Sequence, residues 1–291
     1  MGGEPVDWRA VAPVSVDGVD IAADTSPGNR LTVVLIHGIG AHRRWWDRAA
    51  AAMSPGLQLV RVDLSGHGDS GWRERYDRRT WGTEVAAVIA RSADVEHPTV
   101  VLGHSVGGLV ALMVAAMLPE RVAGVGIVDT AISERRRASS PGVRRSPQQH
   151  RLYHSLDEAM HRFRLLPEQP ILNPSAVHHV ARHSYREVED GWTLKSDHRV
   201  FDHFDSGSVT DDLAALRCPG FLVYGAQSPF WNRENHAQFE QAFGADLPIT
   251  TIEQANHHVL LDQPERCAAA LLDGIARITG GEVGASPITR I

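Results

Sequence analysis

Cysteine and lysine are scarce in this 291-residue chain. There are two cysteines, Cys218 and Cys267, and one lysine, Lys195, so arginine supplies nearly all of the 29 basic residues. Two cysteines cannot build a disulfide framework, and no C-x-x-C spacing of the metal-binding kind occurs. Both read as small buried hydrophobes, and a reducing compartment is the expected setting. The near-absence of lysine reads as a genomic bias, since no motif in the chain requires it. Positive charge is also in deficit: 29 Lys plus Arg against 35 Asp plus Glu give a formal charge of −6, which argues against a nucleic-acid partner. Long apolar runs are missing. Val106 to Leu118 is too short to span a bilayer, and the opening MGGEPVDWRA has no basic region leading into an apolar segment. The expectation is a soluble, cytoplasmic protein with no membrane partner. What is present is ordinary globular composition, 43% apolar, 22% charged and 6% aromatic, which excludes a disordered or low-complexity chain.

Six short apolar runs read as strands: Leu31 to Ile36, Leu57 to Val62, Thr99 to Leu102, Ala123 to Val128, Phe221 to Tyr224 and Ile249 to Ile252. Asp17-Gly18, before them, reads as a hairpin turn. Helical-length stretches separate most of the six, which predicts an α/β fold with a mostly parallel central sheet and helices on both faces. Gly107 to Leu118 is apolar nearly all round and stops before Pro119, as a buried helix does. A last helix starts near Pro264, and the tail after it is expected to fray. The interval from Asp129 to Pro219 is far too long for a loop of a compact domain. We read residues 132–208 as an inserted helical cap over the carboxyl edge of the sheet, with residues 1–131 and 209–291 forming the core. The cap opens with Arg135, Arg136, Arg137, Arg144 and Arg145, read as a solvated stretch. Helix-like patches follow at Leu152 to Phe163 and Ala176 to His183, with a turn at Asp190-Gly191. No internal repeat is found.

Gly103-His104-Ser105-Val106-Gly107 is a G-x-S-x-G sequence lying directly between a predicted strand and a predicted helix. That context makes it a nucleophile elbow: the serine sits on a strained turn, and larger residues two positions away would collide with neighbouring backbone. The helix start beneath it adds positive potential where an oxyanion develops. With it come His37-Gly38-Ile39-Gly40, the turn Asp63-Leu64-Ser65-Gly66-His67-Gly68-Asp69-Ser70, and Ala255-Asn256-His257-His258-Val259-Leu260-Leu261-Asp262-Gln263-Pro264. In this order the four motifs resemble those of the α/β-hydrolase fold family, over nearly the whole chain apart from the cap. The resemblance implies Ser105 as nucleophile and His257 as general base, with His258 a decoy. It also implies an oxyanion hole from the backbone amides of Ile39 and Val106.

The third catalytic member departs from the family pattern. Most members carry the acid after the next-to-last strand, where this chain has Ser228, and a serine cannot stabilise an imidazolium as a carboxylate does. Asp129, at the carboxyl end of the strand after the elbow helix, is the substitute expected, and Ser105, Asp129, His257 keeps the family order. The bland reading is that Asp129 only caps its strand; Glu234 is a more distant candidate. No metal or cofactor is expected. His150 with His154, and His179 with His183, have i,i+4 spacing but lack the Glu of an H-E-x-x-H motif and an evident third ligand. Trp192, Phe230 and Trp231 are candidate substrate-binding residues; with Phe163, Leu165, Leu166, Phe201 and Phe204 they either roof an apolar pocket or form the cap's own core. Gly191 to Asp197 resembles a stretch of capped hydrolases without a role that can be read from it.

The reading that follows is a cofactor-independent serine hydrolase of a small or medium apolar ester, thioester or activated carbonyl substrate, acting through an acyl-enzyme at Ser105. Two alternatives stay open. One is a C–C bond hydrolase or cofactor-free dioxygenase of the same fold using His257 and Asp129 as base; the other is a non-catalytic ligand receptor, motivated by Ser228. Oligomeric state is not legible.

Overall fold

The structure is a computed structural model that describes residues 5–53, 56–93, 96–132, 151–202, 204, 205 and 207–281. The arginine-rich stretch, His150 and the end of the tail lie outside these residues, as does the side chain of Phe204. The central sheet uses eight strands: β1 (Arg9–Ala10), β2 (Ala23–Thr25), β3 (Leu31–Ile36), β4 (Leu57–Val62), β5 (Thr99–His104), β6 (Val122–Val128), β7 (Gly220–Gly225) and β8 (Ile249–Ile252). They lie side by side in the order β1-β2-β4-β3-β5-β6-β7-β8. The six strands from β4 to β8 in that order pair parallel, and the short β1 and β2 add an antiparallel edge. Asp17 and Gly18, at φ 48° and 76°, turn the separate hairpin Val14–Val16 with Val19–Ile21, as the sequence suggested.

The composition of β3 shows why the sheet is a two-sided core. All six of its residues, LTVVLI, are buried, which only a strand covered on both faces achieves. Burial of each such aliphatic side chain contributes roughly 1.5–3 kcal/mol. One face packs on α1 (Arg78–Ser92) and α2 (Val106–Met117), joining Trp81, Val85, Leu109 and Leu112 to Val34, Ile36 and Val101. The other face carries Trp46, Ala49, Leu260, Leu271 and Ile275 against Val33, Leu35 and Leu102. The last helix, which begins at Pro264 as expected, supplies Leu271 and Ile275 to that face. Cys267 in that helix is fully buried; Cys218 is only partly covered, which corrects the expectation that both cysteines are buried.

Between β6 and β7 the described residues hold α3 (Leu156–Arg162) and α4 (Pro174–His183), close to the two predicted helical patches. Ser155 caps α3 and Asn173 caps α4, each side chain accepting a backbone N–H of the first turn. The turn at Asp190-Gly191 joins two strands, Tyr185–Val188 and Gly191–Leu194, so this segment carries a β ribbon as well as helices. It packs on the core through Leu165, Ala176 and Val180 against Ala41, Trp45 and Leu261. The stretch Gly191 to Asp197 acts as an anchor: Lys195 Nζ donates to Asp69 Oδ1 at 2.5 Å, Tyr76 Oη to Asp197 Oδ2 at 2.5 Å, and Asp197 N to the Gly66 carbonyl at 2.8 Å. None of the described helices is long and apolar enough to cross a membrane.

Candidate active site

Strand register brings the chemistry to one edge. His104 pairs with Val128 and Val128 with Val223, so Ser105, Asp129 and the segment after Gly225 leave neighbouring parallel strands at their carboxyl ends. The ladder runs on for one more step, Ser105 N donating to the Val128 carbonyl and Asp129 N to the Val223 carbonyl, both at 2.9 Å. Ser105 holds φ at 55° and Asp129 at 47°, left-handed conformations that cost non-glycine residues of order 1–3 kcal/mol. Glycines make the first of these bends sterically feasible. A Cβ on Gly103 would overlap the Gly107 carbonyl oxygen, and one on Gly107 would overlap that of His37. The G-x-S-x-G spacing is therefore a packing requirement in this chain.

Ser105, His257 and Asp129 form a hydrogen-bonded series. Ser105 Oγ lies 3.0 Å from His257 Nε2, and His257 Nδ1 lies 3.0 Å from Asp129 Oδ1, with Asp129 fully buried. A carboxylate only accepts, so Nδ1 carries the proton and Nε2 presents its lone pair to the serine hydroxyl. Asp129 takes two further donors, Gly225 N at 2.9 Å and Ser228 Oγ at 2.5 Å. Ser228, which stands where the family pattern puts the acid, thus hydrogen-bonds the carboxylate that lies one strand over. Phe230 covers the His257 ring edge-on, with centroids 4.5 Å apart.

The His37–Gly40 loop abuts the serine: a Cβ on Gly38 would lie 3.0 Å from Ser105 Cβ. Two buried histidines hold it. His37 Nδ1 donates to the Gly38 carbonyl at 2.7 Å while its Nε2 accepts Leu64 N at 3.1 Å, and His67 Nε2 accepts Gly40 N at 3.0 Å. Burial lowers both imidazoles, His37 to about 4 and His67 to about 3, so both are neutral acceptors at neutral pH. The amides of Ile39 and Val106 have no protein acceptor among the described residues, which leaves both N–H groups for a ligand.

The other candidates are dispersed. Trp231 packs at a tilt against Tyr224 and His236, and Trp192 packs with Tyr153 and Tyr185 in a small cluster between β6 and β7. Of the three proposed substrate contacts, Phe230 is the one that touches a catalytic candidate. Glu234 lines a separate cleft with Ile132 and Val209. His179 Nε2 is held by Asp47 Oδ2 at 2.9 Å, and its ring meets His183 edge-on. His258 Nε2 lies 3.2 Å from the Pro167 carbonyl, and its ring meets Trp45 edge-on.

Sequence reasoning missed three residues of this site. His104 Nε2 donates to the His257 carbonyl at 2.9 Å, Thr130 Oγ1 donates to the Ser105 carbonyl at 2.8 Å, and Gln169 bonds the histidine loop from the segment between β6 and β7. His104 and Thr130 sit one position from Ser105 and Asp129, a signal that was available. One ring nitrogen from each of His104, His257 and His258 falls within 4.8 Å of the others. The trio is a poor fit for a resident metal. Both nitrogens of His257 are engaged, and His104 and His258 each use Nε2–H on a carbonyl, so only their two Nδ1 atoms remain, fewer than the three protein ligands of a catalytic zinc site.

A sequence model of the alpha/beta hydrolase family matches residues 33–270. The chain belongs to that family. This alpha/beta hydrolase is 28% identical over 246 residues to Esterase Rv0045c of Mycobacterium tuberculosis, covering 81% of this chain and 80% of the relative. It is 36% identical over 107 residues to Lipase LipV of the same organism, a match spanning 37% of this chain and 40% of the lipase. Among solved structures, E-2-(acetamidomethylene)succinate hydrolase superposes with a TM-score of 0.79 at 19% identity, over 92% of this chain and 99% of that one. The thioesterase domain from the curacin biosynthetic pathway gives 0.72 at 21% identity, over 91% and 99%. At these identities the two structures establish the α/β-hydrolase fold. The chain is a hydrolase.

Proposed function

We propose that the protein is a cofactor-independent serine hydrolase that cleaves a small or medium apolar ester or thioester through an acyl-enzyme at Ser105. The observation that carries this reading is the series Ser105 Oγ, His257 Nε2 and Nδ1, Asp129 Oδ1, with a 3.0 Å separation at each step. His257 takes the Ser105 proton as the hydroxyl attacks the acyl carbon, and the Asp129 carboxylate stabilises the imidazolium that forms. The amides of Ile39 and Val106 hold the oxyanion, each donor contributing about 3 kcal/mol to barrier reduction. His257 returns its proton to the leaving group, then activates water to release the acyl chain.

The named activities of the relatives, esterase and lipase, support ester cleavage. Phe230 against the His257 ring, and Phe201 beside Gly40 of the loop next to Ser105, support an apolar substrate group. Residues 132–208 serve as the cap in this reading, their described part packing beside the site on Trp45 and Leu261. The cofactor-free oxygenase alternative has the imidazole deprotonate a substrate hydroxyl; a lone pair already directed at Ser105 favours the serine. The test is Ser105→Ala with p-nitrophenyl esters and a fluorophosphonate probe. Wild type should turn over the esters and be labelled at Ser105, while the variant keeps its melting temperature and loses both. Wild-type enzyme that the probe leaves unlabelled would overturn the proposal.

A further inference from the structure

The loop that carries His257 is held from outside the core. Gln169 lies in the inserted segment, between α3 and α4. Its Nε2 donates to both carboxylate oxygens of Asp262, at 3.0 and 2.9 Å, and its Oε1 accepts the backbone N–H of His258 at 2.9 Å. Asp262 Oδ2 in turn accepts the backbone N–H of Asn256 at 2.8 Å. One amide-carboxylate pair therefore secures the peptide N–H groups on both sides of His257, while His104 secures its carbonyl. Asp262 is buried and Gln169 half-covered, so a lost donor there is poorly replaced by water. A Pro167 carbonyl bonded to the His258 ring adds a second tie from the same stretch.

We propose that Gln169 is a positioning residue for His257, so that the inserted segment governs the competence of the catalytic base as well as covering the site. This rests on the serine-hydrolase reading for its kinetic readout. The consequence is a split in the kinetics. Loosening Gln169 turns the imidazole away from Ser105 without altering the surfaces that bind substrate, so kcat falls and KM holds.

The perturbation is Gln169→Glu, which sets a carboxylate against the Asp262 carboxylate. The control is the exchange Gln169→Glu with Asp262→Asn, which swaps amide and carboxylate between the two positions. The amide, now at position 262, donates to the carboxylate at position 169 while its own oxygen accepts Asn256 N–H. The relocated carboxylate still accepts His258 N–H, so three of the four bonds keep a donor and an acceptor, and only the second arm of the shared contact, at Asp262 Oδ2, is lost. Gln169→Glu should lower kcat at least 20-fold with KM within 3-fold of wild type. The exchange should restore kcat to within 5-fold, with the melting temperatures of both variants within a few degrees of wild type. The downfield proton resonance of His257 Nδ1–H should broaden in the single variant and return in the exchange. That signal is read on resting enzyme, so it tests positioning even if wild type fails to hydrolyse any ester. A loss confined to KM would mean that Gln169 only shapes the pocket. A kcat within 2-fold of wild type, or no recovery in the exchange, would likewise overturn the proposal.

Discussion

Asp129→Asn should inactivate this enzyme by fixing the wrong tautomer of His257, and the surrounding bonds dictate which way the new amide points. Oδ2 of Asp129 faces the backbone N–H of Gly225, which can only donate. The asparagine oxygen must therefore occupy that position, and its NH2 must replace Oδ1, which now faces Ser228 Oγ and His257 Nδ1. Ser228 can turn a lone pair to the NH2. His257 can meet it only by giving up the Nδ1 proton, which moves to Nε2 and points at Ser105. The hydroxyl then has no base. A base held in the wrong tautomer costs about 10³–10⁴ in kcat in enzymes of this chemistry, or about 4 to 5.5 kcal/mol. Every buried polar atom keeps a partner, so the melting temperature should fall by no more than a few degrees. Stopped assays with p-nitrophenyl butyrate at saturating substrate, beside a thermal melt, measure both quantities. A loss of less than 10-fold in a folded variant would refute the assignment of Asp129 and the tautomer argument with it.

Two further outcomes follow from the same geometry. Asp129→Ser combined with Ser228→Asp moves the carboxylate to the position the family pattern uses, and a separation of 2.5 Å between the two side chains keeps it within reach of His257. The pair should recover at least 10-fold of the activity that Asp129→Ser alone loses, read as kcat; equal rates for single and double variants would contradict it. Buried neutral histidines should also make stability fall with acid. His37 is lowered to about 4 and His67 and His104 to about 3, chiefly by burial, so between about pH 6.5 and pH 5 the unfolded chain binds protons that the folded one refuses. Each such histidine then forfeits roughly 2 kcal/mol by pH 5. The raised carboxyls of Asp63, Glu84 and Asp262 act in the opposite sense, so the clean measure is a difference. His67→Gln, whose oxygen can still accept Gly40 N–H, should lose about 2 kcal/mol less than wild type between pH 7 and pH 5 in urea titrations; equal losses would refute the argument.

The fold was legible because its strongest signals are local. Six apolar runs, each closing where glycine or a polar residue intervenes, correspond to β3 through β8, and the all-round apolar stretch after Ser105 could only be a buried helix. The elbow was legible for the same reason, since its glycines answer clashes within a few residues of the serine. Asp129 and His257 required more, because they stand 128 positions apart and no periodicity reports which carboxylate meets which ring. The lack of a carboxylate at Ser228 made Asp129 the candidate, and the structure sets its Oδ1 3.0 Å from His257 Nδ1. What sequence did not show is that Ser228 hydrogen-bonds Asp129, a place where a second carboxylate would repel the first. The β ribbon Tyr185–Val188 with Gly191–Leu194 was missed because its strands are only half-buried and lack a clean apolar alternation. Gln169 was invisible for a different reason. A polar side chain on an irregular loop carries no pattern, and its partners Asp262 and His258 N–H are set by how two distant segments dock. The parts of the site that local sterics impose are therefore readable from the chain. The bonds around His257 are made across tertiary contacts, which no local pattern in the chain reports.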